Sequence, residues 1–328
     1  MTPRRPLGIT ATVPLEIALA AGLRLVDLNN ALVRGPDPAG AVAAAEADGF
    51  PRNTCAWIKG IYTTIKRLGL QRVVGVTQGD CSNTEALLEL LTDEGVETVP
   101  FAYPASREPA ELRRAMEGFA ADLGTTLAAA EECREGLRPQ RAGLERLDEL
   151  VVRGERRGVD YFELALTATD FGGDPAAYLN RLEEVLRHGP PPTARGLRLG
   201  CLGVPPAFSD LSERLADFGA EIVYWEIPRQ FTMPHDSADL VAQYRAYSYP
   251  YGMAFRLRDI ARQTARRRLD GLVHYVQAFC FRQIEDILVR RILPDVPLLT
   301  LEGDRPGPLD GRDLLRLESF CESLLLEL

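Results

Sequence analysis

Two ten-residue segments of this chain repeat one another: RVVGVTQGDC, ending at Cys81, and GLVHYVQAFC, ending at Cys280. Each is an apolar, β-branched run that stops at a cysteine, with Gln78 and Gln277 three residues earlier. A helical pattern follows both (SNTEALLELLTDEG and FRQIEDILVRRIL), so each cysteine sits where a strand passes into a helix. In a parallel α/β sheet that edge is where ligands and cofactors bind. The repeat extends further. A shift of 199 residues lays Phe101 over Thr300 and brings the Cys55 helix near Ala254, and a shift of 197 aligns Gly22 with Gly219. Two βαβ units in the same order predict an α/β fold of two duplicated Rossmann- or flavodoxin-like parallel-sheet lobes.

Along the chain, a first α/β lobe is expected over residues 1–107. Its strands are LGIT, LRLVDLN, RVVGVTQ and ETVPFAYP, and its helices are VPLEIALAAG, a second opening at Thr54/Cys55, and a third after Cys81. Asn83 and Thr84 are the N-cap candidates of that third helix. Residues 108–190 read as charged helices without a strand, and Gly189 to Gly196 (GPPPTARG) as a stiff connector. A second α/β lobe is expected over residues 191–328. It holds LRLGCLGVPP, FSDLSERLADFG, AEIVYWEI, a polar and aromatic stretch from Pro228 to Tyr251, MAFRLRDIARQTARRR, GLVHYVQAFC, VPLLTLEGD and a closing helix.

The chain has six cysteines. Alone, each reads as a buried small hydrophobe. Cys55, Cys81 and Cys280 differ in lying together at element starts or ends on one sheet edge, where helix amides favour the thiolate that ligates metal. The trio is therefore read as metal ligands that the two folded lobes bring together. Close CxxC pairs of the structural zinc kind are absent, so only folding can bring these thiols together. Spacing alone does not name the metal. Cys133, Cys201 and Cys321 read as structural. Thiol catalysis would want a nearby base, and His188, His235 and His274 are the only histidines, with His274 placed mid-strand as a satisfied core residue. Gln78, Asp80, Gln277, Glu302 and Asp304 are candidates for the cleft wall and equally for helix and turn caps.

A formal net charge of -9 argues against a non-specific nucleic-acid surface. No run of about eighteen apolar residues marks a membrane span. The opening stretch looks like a signal peptide until Pro14 and Glu16 interrupt it, and a cytoplasmic location is expected. In that compartment cysteines serve as ligands or buried thiols more often than as disulfides.

Several motifs taken in order resemble the subunits of 2-hydroxyacyl-CoA dehydratases and benzoyl-CoA reductases, a family that includes double-cubane cluster proteins. They are VPLEIALAAG, Cys55 with AWIKG, GDCSNTEALLELL followed by VPFAYP, then CLGVPP, FGAEIV, VQAFC, LLTLEGD and RLESF. The resemblance covers nearly the whole chain. It implies an iron-sulfur subunit whose 4Fe-4S cluster, or a double-cubane cluster, is held by the positions matching Cys55, Cys81 and Cys280. It implies an ATP-hydrolysing iron-sulfur activator protein that delivers one electron at low potential under anaerobic conditions. The electron reduces the thioester carbonyl of an acyl-CoA-type substrate to a ketyl, which expels a neighbouring hydroxyl (a lyase outcome) or leads on to ring reduction (an oxidoreductase outcome). It further implies a homodimer or a heterodimer with a paralogous subunit. GVPP and GDCS do not match a phosphate-binding loop, in keeping with ATP use on a partner. Three other readings stay open: a double-cubane-type reductase of small molecules, a two-lobed ligand-binding module without a cluster, and an accessory protein that keeps the cluster without turnover.

Overall fold

The structure, a computed structural model, describes residues 5–192 and 196–326. Part of the expected connector (193–195) and the ends of the chain lie outside them. The first half builds a four-stranded parallel sheet from β1 (Pro6–Ile9), β2 (Arg24–Asp27), β3 (Arg72–Gln78) and β4 (Glu97–Ala102), in the order β2-β1-β3-β4. The second builds its counterpart from β5 (Leu197–Gly203), β6 (Ala220–Trp225), β7 (Gly271–Gln277) and β8 (Leu298–Gly303), in the order β6-β5-β7-β8. The two orders are the same with four added to each strand, as the sequence repeat requires. The register of the last strand pair is offset by one residue under the 199-residue shift: Val74 lies opposite Val99, whereas Val273 lies opposite Leu299, not Leu298. Gly22 and Gly219 each adopt φ +71, in the turns that lead into β2 and β6.

Helices of the first half are α1 (Leu15–Ala20), α2 (Leu28–Val33), α3 (Pro38–Ala47), α4 (Ala56–Leu68) and α5 (Asn83–Asp93). Between the sheets come α6 (Pro109–Asp122), α7 (Leu127–Gly136), α8 (Arg138–Val152), α9 (Gly158–Thr167) and α10 (Pro175–His188). The second half adds α11 (Leu211–Asp217), α12 (Glu226–Phe231), α13 (Leu240–Ala246), α14 (Met253–Arg267), α15 (Glu285–Ile292) and α16 (Gly311–Leu326). No described helix is long and apolar enough to cross a membrane.

Four local readings are corrected. The strand read as LRLVDLN ends at Asp27, because the Asp27 carboxylate accepts the amides of Asn29 (2.8 Å) and Asn30 (3.2 Å) and starts α2 there. Helix α3, capped by Asp37 with Pro38 in its first turn, occupies a stretch in which the sequence had signalled no element. The polar and aromatic stretch from Pro228 contains most of α12 and all of α13, the latter capped by Asp239 through the Ala242 amide at 2.7 Å. Finally, Ser82, not Asn83 or Thr84, is the cap of α5. The turn begins one residue early because the Thr84 amide already donates to the Cys81 carbonyl at 3.0 Å.

One continuous core runs across both sheets and the helices between them, from Leu7 and Val74 through Leu144 and Leu164 to Leu199 and Leu317. A buried carboxylate locks the parts together. Glu16 accepts from Gln243 Nε2 (2.9 Å) and Tyr244 Oη (2.8 Å) and pairs with Arg141, so α1, α8 and α13 meet at one charge. Each hydrogen bond to a buried charge of this kind contributes roughly 1.5–3 kcal/mol. The two sheets are thereby held in one mutual orientation, which positions the cleft between them.

Candidate metal centre

In each sheet the chain steps to one side of its first strand and then to the other, which leaves a crevice at the carboxyl ends of β1 and β3 and of β5 and β7. The two crevices share one cavity of about 130 Å³. Thr10, Thr12 and Asp80 border it from the first sheet, and Val204, Pro205 and Gln277 from the second. Cys55, Cys81 and Cys280 all line it, and Cys133, Cys201 and Cys321 do not. Cys201 and Cys321 are buried elsewhere in the core, and no disulfide joins any of the six cysteines.

Each of the three cleft cysteines marks the start of a helical turn. Cys55 caps α4, Cys280 caps the 3-10 turn Phe281–Ile284, and Cys81 directly precedes the Ser82 cap of α5. The chain reaches the last two through left-handed residues, Gly79 at φ +95 and Phe279 at φ +62. A side chain at Gly79 would also bring its Cβ to 2.7 Å from Pro250 Cβ, so glycine is required at this strand exit on two counts.

Burial pushes the Cys55 thiol up to about 12, against the pull of the Trp57 and Ile58 amides, and the charges of Cys280 and Cys81 raise it further. Those amides favour the thiolate although no closed side-chain capping bond forms at Cys55. Burial likewise raises Cys81 and Cys280, and each feels neighbouring negative charge: Asp80 and Cys280 at Cys81, Glu285 and Asp80 at Cys280. Three thiols, Cys55 buried and Cys81 and Cys280 half-buried, that repel one another as anions form a donor set suited to a cationic group, which removes the conflict. Among the described residues no group of three or more His, Cys, Asp or Glu side chains is gathered tightly enough for a single metal ion. The thiols face a shared cavity rather than a shared point.

Three buried polar atoms of cavity-lining residues lack a hydrogen-bond partner among the described residues: Thr12 Oγ1 and, shortly after two of the cysteines in the chain, the indole Nε1 of Trp57 and the Oγ1 of Thr84. Trp57 and Thr84 each occupy the second position of the helix that follows the cysteine. Arg282 holds the equivalent position after Cys280, but its donors are engaged by Glu285 Oε1 (2.8 Å) and the Tyr249 carbonyl (3.0 Å). Buried donors without acceptors are rare and costly in folded proteins. Here those of Trp57 and Thr84 fit a group whose sulfur atoms accept hydrogen bonds. The residues present therefore fit an iron-sulfur cluster. Sequence reasoning named Thr84 only as a cap and missed Trp57; the available signal was a polar donor in the first helical turn after each cysteine.

The remaining wall is polar on one side. Tyr249 Oη donates to Asp80 Oδ1 at 3.1 Å, and the Arg282 guanidinium lies 4.5 Å from the Tyr249 ring centroid. Burial holds the Asp80 carboxyl above its ordinary value, and Arg282 works in the opposite direction. Of the five strand-end polar candidates, Asp80 and Gln277 line the cavity, and Gln78, Glu302 and Asp304 do not. Gln277 is buried with both ends of its amide engaged: Nε2 donates to the Asp304 carbonyl at 2.6 Å, and Oε1 accepts from Tyr275 Oη at 2.8 Å. Its sequence counterpart Gln78 is exposed. No histidine borders the cavity. His274 is buried with Nδ1 against Asp286 Oδ1 at 2.9 Å, in the core role expected of it.

Comparison with known protein families matches residues 10–324 to the 2-hydroxyglutaryl-CoA dehydratase D-component. Comparison with curated proteins finds no match. The matched span takes in both sheets, the helices between them and all three cleft cysteines, so the chain belongs to the 2-hydroxyglutaryl-CoA dehydratase D-component family.

Proposed function

We propose that this chain is the iron-sulfur subunit of a 2-hydroxyacyl-CoA dehydratase-type enzyme and that Cys55, Cys81 and Cys280 hold a 4Fe-4S cluster. The observation that carries the reading is the meeting of these three thiols, and only these three of six, on one cavity. Family membership makes a dehydratase-type subunit the natural frame. When bound, such a cluster supplies single-electron reduction of the thioester carbonyl, with the electron coming from an ATP-hydrolysing activator.

The chain's own residues do the rest. Three thiolates leave one corner of a cubane without a protein ligand. Val204, Pro205, Pro206 and Ile227 give the cavity apolar wall and limit water. Asp80, Tyr249 and Arg282 supply its polar side. At about 130 Å³ the cavity has room for a compact inorganic group but not for a whole acyl-CoA, since pockets for drug-sized molecules run to roughly 300–1,000 Å³. The CoA portion is accordingly placed outside it, with only the thioester end approaching. A cytoplasmic, oxygen-free setting follows from the same chemistry. The direct test is iron and acid-labile sulfide analysis of anaerobically purified protein, followed by assay with activator, ATP and a 2-hydroxyacyl-CoA. Colourless, iron-free protein would overturn the proposal.

Trp57 Nε1 and Thr84 Oγ1 are assigned as donors to cluster sulfur. Such bonds stabilise the reduced, more negative state and raise the potential. Thr84→Val and Trp57→Phe should each leave iron content unchanged and move the midpoint potential to more negative values in an EPR-monitored titration, while Thr84→Ser should restore it. An unchanged potential in iron-loaded Thr84→Val protein would remove this role.

A further inference from the structure

Many arginines of this acidic chain are matched with carboxylates, but three that meet near the end of β4 are not. Arg107 follows β4, Arg245 lies in α13 and Arg258 in α14. Arg107 Nη2 donates to the Arg245 carbonyl at 2.8 Å, and Arg245 Nε donates back to the Arg107 carbonyl at 3.2 Å. The Arg107 guanidinium lies 3.4 Å from the ring centroid of Phe255, and the Arg258 guanidinium lies 5.5 Å from the same centroid. Among the described residues none of the three forms an ion pair with a carboxylate. We infer that they form a binding site for phosphate esters, and that the site takes the nucleotide end of the acyl-CoA substrate.

Arg107 is held in place as a ligand-binding side chain would be. Its backbone adopts φ +59, a left-handed conformation that strains any residue with a side chain. The residue is half-buried and its Nε is buried without a hydrogen-bond partner, whereas Arg245 and Arg258 are exposed. Burial, together with the Arg245 and Arg258 charges, holds the Arg107 cation below its ordinary value, against the pull of Tyr251. Three guanidiniums gathered without a counter-charge repel one another, and a bound polyanion removes that repulsion. Planar guanidinium forks engage phosphate oxygens in pairs, and three of them exceed what one carboxylate can satisfy.

The location suits a molecule whose other end enters the cleft. None of the three arginines lines the cavity, so the site lies outside it. The Tyr251 ring centroid is 4.7 Å from the Arg107 guanidinium, and Tyr251 stands two residues from Tyr249 on the cavity wall. At most about 7 Å therefore separates their Cα atoms. Pro250, between them, closes on Gly79 at the exit of β3 and fixes the segment to the cleft edge. The inference rests on the acyl-CoA reading proposed above, and it places the part of that substrate for which the cavity has no room.

Isothermal titration calorimetry of the full chain with CoA and with ADP tests the site. Wild-type protein should bind CoA, and less tightly as salt rises. Arg107→Gln and Arg258→Gln should each lose roughly 10–100-fold in CoA affinity, the worth of a hydrogen bond to a charged group. Arg258 is exposed, so its variant keeps the readout if Arg107→Gln misfolds. Arg312→Gln, at an exposed position on α16, should bind CoA as the wild type does. Wild-type protein that does not bind CoA, or binding indifferent to both substitutions or to salt, would overturn the inference. ADP binding as tight as that of CoA would overturn the placement of the thioester there and give the site to a free nucleotide. Iron-free protein that binds CoA through these arginines would remove the cluster and leave the site standing, whereas iron-loaded protein without CoA binding would remove the site alone.

Discussion

Cys81→Ser is expected to empty the cleft of iron. Anaerobically purified wild-type protein should carry about four iron atoms and as many sulfides per chain. The serine variant should fall well below one, with turnover reduced by more than roughly 100-fold, since changes merely behind a ligand already cost about 10–100-fold. Cys55→Ser and Cys280→Ser should behave alike, because serine oxygen is a harder and weaker ligand for iron than thiolate. Cys321→Ala is the informative contrast. It removes a buried thiol that does not line the cavity, so iron should be retained. Equal iron content in Cys81→Ser and Cys321→Ala would detach the cleft from metal binding altogether.

Arg256→Ala is expected to produce the largest loss of stability among single substitutions near the site. Arg256 is 1% exposed, with Nε 2.7 Å and Nη2 3.0 Å from the two carboxylate oxygens of Glu226, and it also pairs with Glu285. Burial works against its charge, and the two carboxylates more than offset that, holding the guanidinium above its ordinary value. Glu226 in turn accepts the Gly203 amide at 2.9 Å, and Glu285 holds Arg282 beside Cys280. Truncation leaves Glu226 buried without its counter-charge, which costs about 3–5 kcal/mol. It also loosens the carboxyl end of β5 and the Cys280 turn together. Denaturant unfolding of the apoprotein measures this directly, and a change below about 1 kcal/mol would contradict it. The double variant Arg256→Met/Glu226→Met should recover much of the loss, because an apolar pair removes the orphaned charge.

Much of the architecture was legible because it is written in local patterning. RVVGVTQ became β3 with the expected bounds, β7 fills the first seven residues of GLVHYVQAFC and ends at Gln277, and the helix after Cys55 closes at Gly69 in a left-handed cap. The repeat between the halves foretold two sheets of like order. Helices α2, α12 and α13, of six or seven residues, were not legible, although α1 and α11 of like length were. Their starts are set by tertiary context: Asp27, which caps α2, also donates its backbone amide to Asp170 from the far side of the chain.

By itself, then, the amino-acid sequence determined that there are two like α/β halves and that three cysteines stand at helix starts beside strand ends. Strand and helix periodicity depend on neighbours a few residues away, and such information is present in a linear string. Tertiary structure alone decided that Cys55, Cys81 and Cys280 border the same cavity, that Gln277 is buried while Gln78 faces solvent, and that Trp57 and Thr84 are left with unpartnered donors there. Those outcomes depend on how elements as far apart as Cys81 and Cys280 pack around the Glu16 and Arg256 ion clusters. Packing of that kind is a property of the assembled core, in which each contact exists only because many distant ones already do.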